Sequence, residues 1–344
     1  MAAATRGRLA GSTAGLLDHA IPRRRGILTV LTYHRVDEPD ARPDLMPTLI
    51  SATPATFAKQ VAFLARHFEP VSLADVLEAL EQPELLPRRA VLVTFDDAYR
   101  DFATHAWPVL RTAAVPATLF VPTAFPYDPT LTFWWARLWA AIRDGAPGAS
   151  VTTPAGALQV GPERARDTVA SIRTWLKSLD HDEAMRELER LVARIPSGPA
   201  LEDPASTSTT REPAVLGWDE LRRLAGEGVT LAPHTRHHPL LDRVPIERAV
   251  DEIVGSHADL ERELASAVPR VLAYPSGAHD GSAVEAARRA GMDLAMTTRR
   301  GGNDLRTADR WRLRRINVGS RAGVPLLRAQ LAWAAAIDAR RAPA

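Results

Sequence analysis

Two adjacent carboxylates, Asp96 and Asp97, close an apolar run that reads Ala90-Val91-Leu92-Val93-Thr94-Phe95. A buried parallel strand is apolar on both faces and carries its polar groups just past its carboxyl end, which is where active-site rims form. Side by side, two ionised carboxylates repel one another and lose hydration unless something uses them, and a cation bound by one of them removes the conflict. Taken alone, the pair also fits a helix N-cap with a solvated neighbour.

A second stretch offers what such a cation needs. Pro233-His234-Thr235-Arg236-His237-His238-Pro239 also follows a short apolar run, Val229-Thr230-Leu231. His234 and His238 stand at i,i+4, a spacing that brings two imidazoles to one cation on a helix or in a tight loop. The bracketing prolines argue against an extended helix, and Thr235 stands where the helical zinc-hydrolase motif needs Glu, so ligation from a loop is expected. Two histidines and one carboxylate, with positions left open for water, form the ligand set of a hydrolytic Zn²⁺ site or of several other divalent ions. The competing reading is three unrelated histidines at a turn. His237 is expected to point away from the site.

The elements that must position these residues follow from the apolar periodicity. Ile27–Thr32 reads as a strand ending in Tyr33-His34-Arg35. Thr53 or Thr56 caps a helix with Phe57, Val61 and Leu64 on its inner face, and Ser72 caps the next. Strands at 91–95 and 117–121 flank a helix near 101–114. The rhythm stops between about 124 and 215, a stretch without a clear strand and too long for a plain loop, so an inserted element with helices of its own is expected. It carries a Trp-rich segment, Phe133 to Trp139, which reads as core, and an amphipathic helix at 181–195. Residues 196–213, rich in Pro, Ser and Thr, read as a return linker. Strands then return at 229–231, 271–274, 293–297 and 312–318, alternating with helices. This is an α/β pattern of about seven parallel strands, as a barrel or an open sheet.

Composition bounds the partners. The chain has 344 residues, 46% of them hydrophobic, and a formal net charge of +2. Its basic residues are almost all arginine, Lys59 and Lys177 being the lysines. Near-neutral charge without a clustered basic face gives no case for nucleic acid. With no cysteine, disulfides and thiolate metal sites are excluded. Arg6, Arg8 and Arg23–Arg25 flank a short patch at Leu16-Leu17, an order unlike a secretory signal, and no run reaches the roughly 18 apolar residues of a membrane span. Residues 1–26 are therefore expected to form an arm in a cytoplasmic protein, with peripheral contact to an anionic membrane face as its one route to lipid.

Several of these stretches fall in a recognisable order. Thr94-Phe95-Asp96-Asp97 with Tyr99, Trp218-Asp219-Glu220-Leu221, His234-Thr235-x-x-His238-Pro239 and Tyr274-Pro275-Ser276-Gly277 resemble the motifs of the polysaccharide deacetylase family, the NodB-like carbohydrate esterases of family 4. Thr32-Tyr33-His34-Arg35-Val36 and Arg315-Ile316-Asn317-Val318 extend the likeness, which points to the branch that begins with Tyr-His-Arg-Val. It spans roughly 27–123 and 214–320 and leaves the insertion outside. The resemblance implies a distorted (β/α)7 barrel over 27–123 and 214–322, interrupted by a largely helical insertion at 124–213 and followed by a C-terminal helix and tail at 323–344.

It also implies roles. Asp97, His234 and His238 would hold one divalent metal ion, zinc with cobalt or nickel as alternatives, and Asp96 would be the general base. A backbone N–H near Ser276, in the turn Tyr274-Pro275-Ser276-Gly277, would face the oxyanion. The late Leu-x-x-His motif of many members is absent, and in the Tyr-His branch the acid role passes to His34. Ala273 stands where many members have an orienting Arg, leaving Arg35, Arg100 and Arg315 as candidate replacements. Ser276 stands in place of a frequent Tyr. The implied activity is removal of N-acetyl groups from an amino-sugar glycan or glycan precursor. Hydrolysis of O-acetyl esters or non-sugar amides, and a non-catalytic glycan-binding module on the same fold, are the alternatives.

Overall fold

The computed structural model describes residues 25–154, 156–196, 198 and 214–339. Nearly all of the expected N-terminal arm and of the return linker at 196–213 lies outside the described residues.

The fold is mixed α/β. Strand β1 (Ile27–Tyr33), β2 (Ala90–Phe95), β3 (Ala117–Val121) and β4 (Thr230–Pro233) pair in parallel, in that order. Every residue of the first three is buried, which is why they read as continuous apolar runs without alternation. The register places Tyr33 opposite Phe95 and Val121 opposite Pro233, so His34, Asp96 and His234 all emerge at the same carboxyl-end edge. Strands β5 (Val271–Ala273) and β6 (Leu294–Met296) pair with each other, Met296 bridges to Leu313, and β7 (Ile316–Asn317) returns in parallel to β1. Among the described residues no ladder joins β4 to β5, so the closed barrel is not present as one continuous hydrogen-bonded ring. The last strand is also shorter than the stretch 312–318 expected for it.

Helices cover this sheet. In α1 (Pro54–His67), Thr53 accepts a hydrogen bond from Thr56 N at 3.2 Å, Pro54 occupies the first turn, and Phe57, Val61 and Leu64 face inward. Ser72 and Asp75 form a capping box on α2 (Leu73–Ala79). A π-turn at Phe102–Ala106 leads from the Asp pair into α3 (Trp107–Thr112). Between β3 and β4 lie α4 (Trp134–Arg143), α5 (Ala165–Leu176) and α6 (His181–Arg194). They are joined by an antiparallel hairpin, Ser150–Thr153 with Gly156–Gln159, in a stretch expected to lack strands. Its alternating burial over Ser150–Thr153 is the strand signal, diluted there by Pro154 and Gly156 in the turn. After α7 (Trp218–Gly226), the long α8 (Ile246–Leu264) packs against the end of β4. No helix among the described residues is long and apolar enough to cross a membrane.

The strand ends that carry the chemistry rest on aromatic rings. Phe57 meets Tyr33 edge-on at 5.2 Å and Phe95 at 5.8 Å, and Phe95 meets Phe102 at 4.8 Å. All four side chains are buried. Phe57→Ala is expected to destabilise the chain by about 3–5 kcal/mol through the cavity it leaves beneath β1 and β2, read as a fall in the urea midpoint at unchanged slope.

Candidate active site

The residues singled out by spacing converge at one point. Asp97 follows β2 with φ 72°, and Ala98 follows at φ 50°. This left-handed turn breaks the strand alternation and swings the Asp97 carboxylate away from that of Asp96. His234 follows β4, its N–H bonded to Val121 O at 3.1 Å. Thr235 and His238 are again left-handed, at 64° and 59°, and Thr235 Oγ1 accepts from His238 N at 3.0 Å. Non-glycine residues in this region cost about 1–3 kcal/mol each and gather where a fixed geometry is being held. The holder is α8: Glu252 accepts from the backbone N–H groups of Arg236 and His237 and pairs with the His237 ring at 2.9 Å, while Asp259 grips the Arg236 guanidinium at 2.8 Å. His237 thus faces α8 and stands outside the cluster, and His234 and His238 are presented from a loop.

Asp97, His234 and His238 are buried, with ligand atoms all within 4.8 Å of one another. Nε2 of His234 lies 3.4 Å and Nε2 of His238 3.3 Å from the same oxygen, Asp97 Oδ1. His234 donates its Nδ1 proton to Ala273 O at 2.8 Å, which turns Nε2 toward Asp97 as the nitrogen left to hold a metal. Burial pushes the His238 imidazole below its usual range, with Asp97 opposing, which favours its neutral form. Lone pairs facing a carboxylate oxygen repel unless a cation lies between them. Tetrahedral bonds of about 2.0–2.1 Å set ligand atoms about 3.3 Å apart, so both separations and donor set suit a divalent ion such as zinc.

Asp96 has a different partner. Arg315, wholly buried, donates from both terminal nitrogens to the two Asp96 oxygens at 2.8 Å each, and from Nε to Thr297 O at 2.8 Å. Burial opposes ionisation of Asp96, yet the Arg315 charge leads the opposing effects and the carboxyl is held below its ordinary value. The other two candidate cations are engaged elsewhere. Arg35 pairs with Asp101 at 2.6 Å and lies over the Tyr99 ring, and Arg100 pairs with Glu220 at 2.8 Å.

His34 follows β1 at the same edge, half-buried, its N–H bonded to Ser51 Oγ at 2.9 Å, and its charge acts on both Asp96 and Asp97. The turn after β5 is built around Ser276 at φ 56° and Gly277 at φ 69°. A Cβ at Gly277 would sit 2.5 Å from Thr298 N, so the turn requires glycine there. Tyr274 is not at the surface of this turn: its ring is buried and its hydroxyl donates to Trp311 O, which makes it a support, with Pro275 buried beside it. Trp135 is buried with its ring 4.9 Å from that of His238, so part of the Trp cluster walls the site. Spacing gave no sign of Lys177, which follows α5 in the insertion and donates to Ser276 Oγ at 3.0 Å.

The Asp96–Arg315 pair is reachable by measurement. Arg315→Ala is expected to cost about 3–5 kcal/mol, because it strands a buried carboxylate, and Asp96→Asn in the same chain is expected to recover a large part of that loss in chemical denaturation.

Comparison with known proteins agrees with this geometry. Residues 176–295 match the family model described as polysaccharide deacetylase, a segment that includes His234, His238 and Ser276 but not the Asp pair. The poly-beta-1,6-N-acetyl-D-glucosamine N-deacetylase of Escherichia coli (strain K12) is 29% identical over 126 residues, which is 36% of this chain. The chain spans 14% of the length of that relative. Among solved structures, the Streptococcus pyogenes deacetylase PplD in complex with acetate superposes with a TM-score of 0.59 at 18% identity, over 90% of this chain and 99% of that one. The BpsB deacetylase domain from Bordetella bronchiseptica gives 0.54 at 17% identity, over 87% and 98%. At these identities the structures establish a shared fold. Residues 176–295 are thus similar to the polysaccharide deacetylase family, and the likeness over the rest of the chain is one of fold.

Proposed function

We propose that this chain is a metal-dependent hydrolase that removes N-acetyl groups from an N-acetylated amino-sugar glycan or glycan precursor. The observation that carries the reading is the buried Asp97–His234–His238 cluster beside an Asp96 that Arg315 holds ionised and that ligates nothing. The E. coli relative is named for the same reaction on an N-acetylglucosamine polymer, which supports this substrate class. The scaffold belongs to the same reading: a distorted (β/α)7 barrel over 27–123 and 214–322, open between β4 and β5, with 124–213 inserted at its rim.

A divalent ion held by Asp97, His234 and His238 would lower the pKa of a bound water to about 7 and polarise the acetyl carbonyl. Asp96, one residue away, accepts the proton of the attacking water. Its low pKa makes it a weak base, which suffices only for a water already acidified. Arg315 fixes both of its oxygens, so the acceptor does not turn away from the site. Attack at the acetyl carbon puts negative charge on the carbonyl oxygen, and the backbone N–H of Ser276 is the turn's donor available for it, those of Gly277 and Ala278 being bonded to Tyr274 O and Pro275 O. The C–N bond then breaks, and the nitrogen must gain a proton because an expelled amide anion is far too basic. His34 at the end of β1, with no side-chain hydrogen bond among the described residues, supplies it.

After exhaustive dialysis the protein is expected to keep about one divalent ion per chain, and His234→Ala to lose it, measured by elemental analysis. Asp96→Asn is expected to keep the ion while acetate release falls by about 10²–10⁴-fold, the range for removing a general base. Full acetate release by Asp96→Asn would exclude it as the base. A chain that binds no divalent ion after resupply with zinc, cobalt or nickel would leave a glycan-binding module as the better reading.

A further inference from the structure

The insertion delivers a cation to the site that the mechanism above does not use. Lys177 follows α5, and its ammonium lies 3.0 Å from Ser276 Oγ, on the turn that faces the substrate carbonyl. One turn back on the same helix face, Arg173 touches only the Met46 sulfur at 3.7 Å, and its Nε is buried with no hydrogen-bond partner. Among the described residues neither side chain forms an ion pair with a carboxylate. Asp242 and Asp97 are the acidic groups whose charge reaches Lys177, and Asp97 is committed to the cluster. Burial, with Arg173 adding to it, pushes the Lys177 pKa down to about 8.

Two half-buried cations without a counter-charge carry an unmet demand for an anion. The Asp97–His234–His238 cluster does not meet it: its one carboxylate is turned toward the two imidazoles. The free N–H donors of Lys177 are beside Ser276, where the sugar bearing the acetamide must lie. Trp134, half-buried, lines a small recess together with Lys177 and offers an apolar face for a sugar ring next to that charge.

Resting on the deacetylase reading, we propose that Lys177, backed by Arg173, is a specificity residue that binds a negatively charged group, a carboxylate or a phosphate ester, on or next to the acetylated sugar. The substrate is thereby an anionic N-acetylated glycan unit rather than a neutral homopolymer. Lys177 selects the substrate from the insertion, and Asp96 and His34 from the barrel carry the proton transfers.

The test measures acetate release by the whole chain, loaded with its metal, from three probes. These are a neutral N-acetylglucosamine oligomer, an oligomer containing the lactyl carboxylate of N-acetylmuramic acid, and a phosphodiester of N-acetylglucosamine 1-phosphate. The expected result is a higher kcat/KM for one of the two anionic probes than for the neutral one, and which one identifies the source of the charge. Lys177→Gln is expected to reduce that ratio by about ten- to hundredfold, the worth of a charged hydrogen bond, mainly through KM. Lys177→Arg is expected to retain most of it. Equal kcat/KM on charged and neutral probes, or a ratio unmoved by Lys177→Gln, overturns the proposal and leaves the deacetylase reading standing. Acetate release from none of the three, with metal bound, overturns both.

Discussion

Asp96 and Arg315 form a buried charge pair, and much of the site's geometry descends from it. The guanidinium fork takes both carboxylate oxygens and its Nε donates to Thr297 O, so neither partner has freedom to rotate. Because Asp96 is turned toward Arg315, the next residue must turn the other way, and the left-handed backbone at Asp97 achieves this. Two adjacent carboxylates that would repel in a common environment are thus given separate ones. One is neutralised by a guanidinium, and the other is aimed at two imidazoles. The pair also joins the second strand of the sheet to the last, across more than 200 residues of chain.

What the sequence discloses most readily is whatever depends on near neighbours. The β-branched runs of β1 to β3 identify themselves because both faces are covered and every position must be apolar. Thr53 and Ser72 declare helix starts because a cap bonds to a backbone N–H three residues on. His234 and His238 stand out because one short loop supplies both. Ligand residues from such a loop keep a fixed spacing, and Pro233 and Pro239 rule out an extended helix without any knowledge of the fold.

The features that escape a linear reading are those settled through space. Arg35, Arg100 and Arg315 are equivalent as letters, and only the packing shows that Asp101 and Glu220 take the first two while Arg315 reaches Asp96. Tyr274 lies in a motif yet points into the core, because the following turn, not the tyrosine, faces the site. The hairpin at 150–159 is short and its turn residues hide its alternation. Lys177 carries no local signal at all, since a single lysine after a helix acquires meaning only from the turn it meets, 99 residues on.

The open seam between β4 and β5 has a consequence of its own. Among the described residues no backbone ladder crosses it, and the His234 ring, donating to Ala273 O, bridges the two sides. The same imidazole therefore serves as a rivet of the scaffold with one nitrogen and turns the other toward Asp97. An ion held by the cluster would therefore also act on the seam, tightening the wall of the fold, and strain that widens the seam would loosen that ion. In such an arrangement, affinity for an ion at the cluster and closure of the sheet would form a single equilibrium.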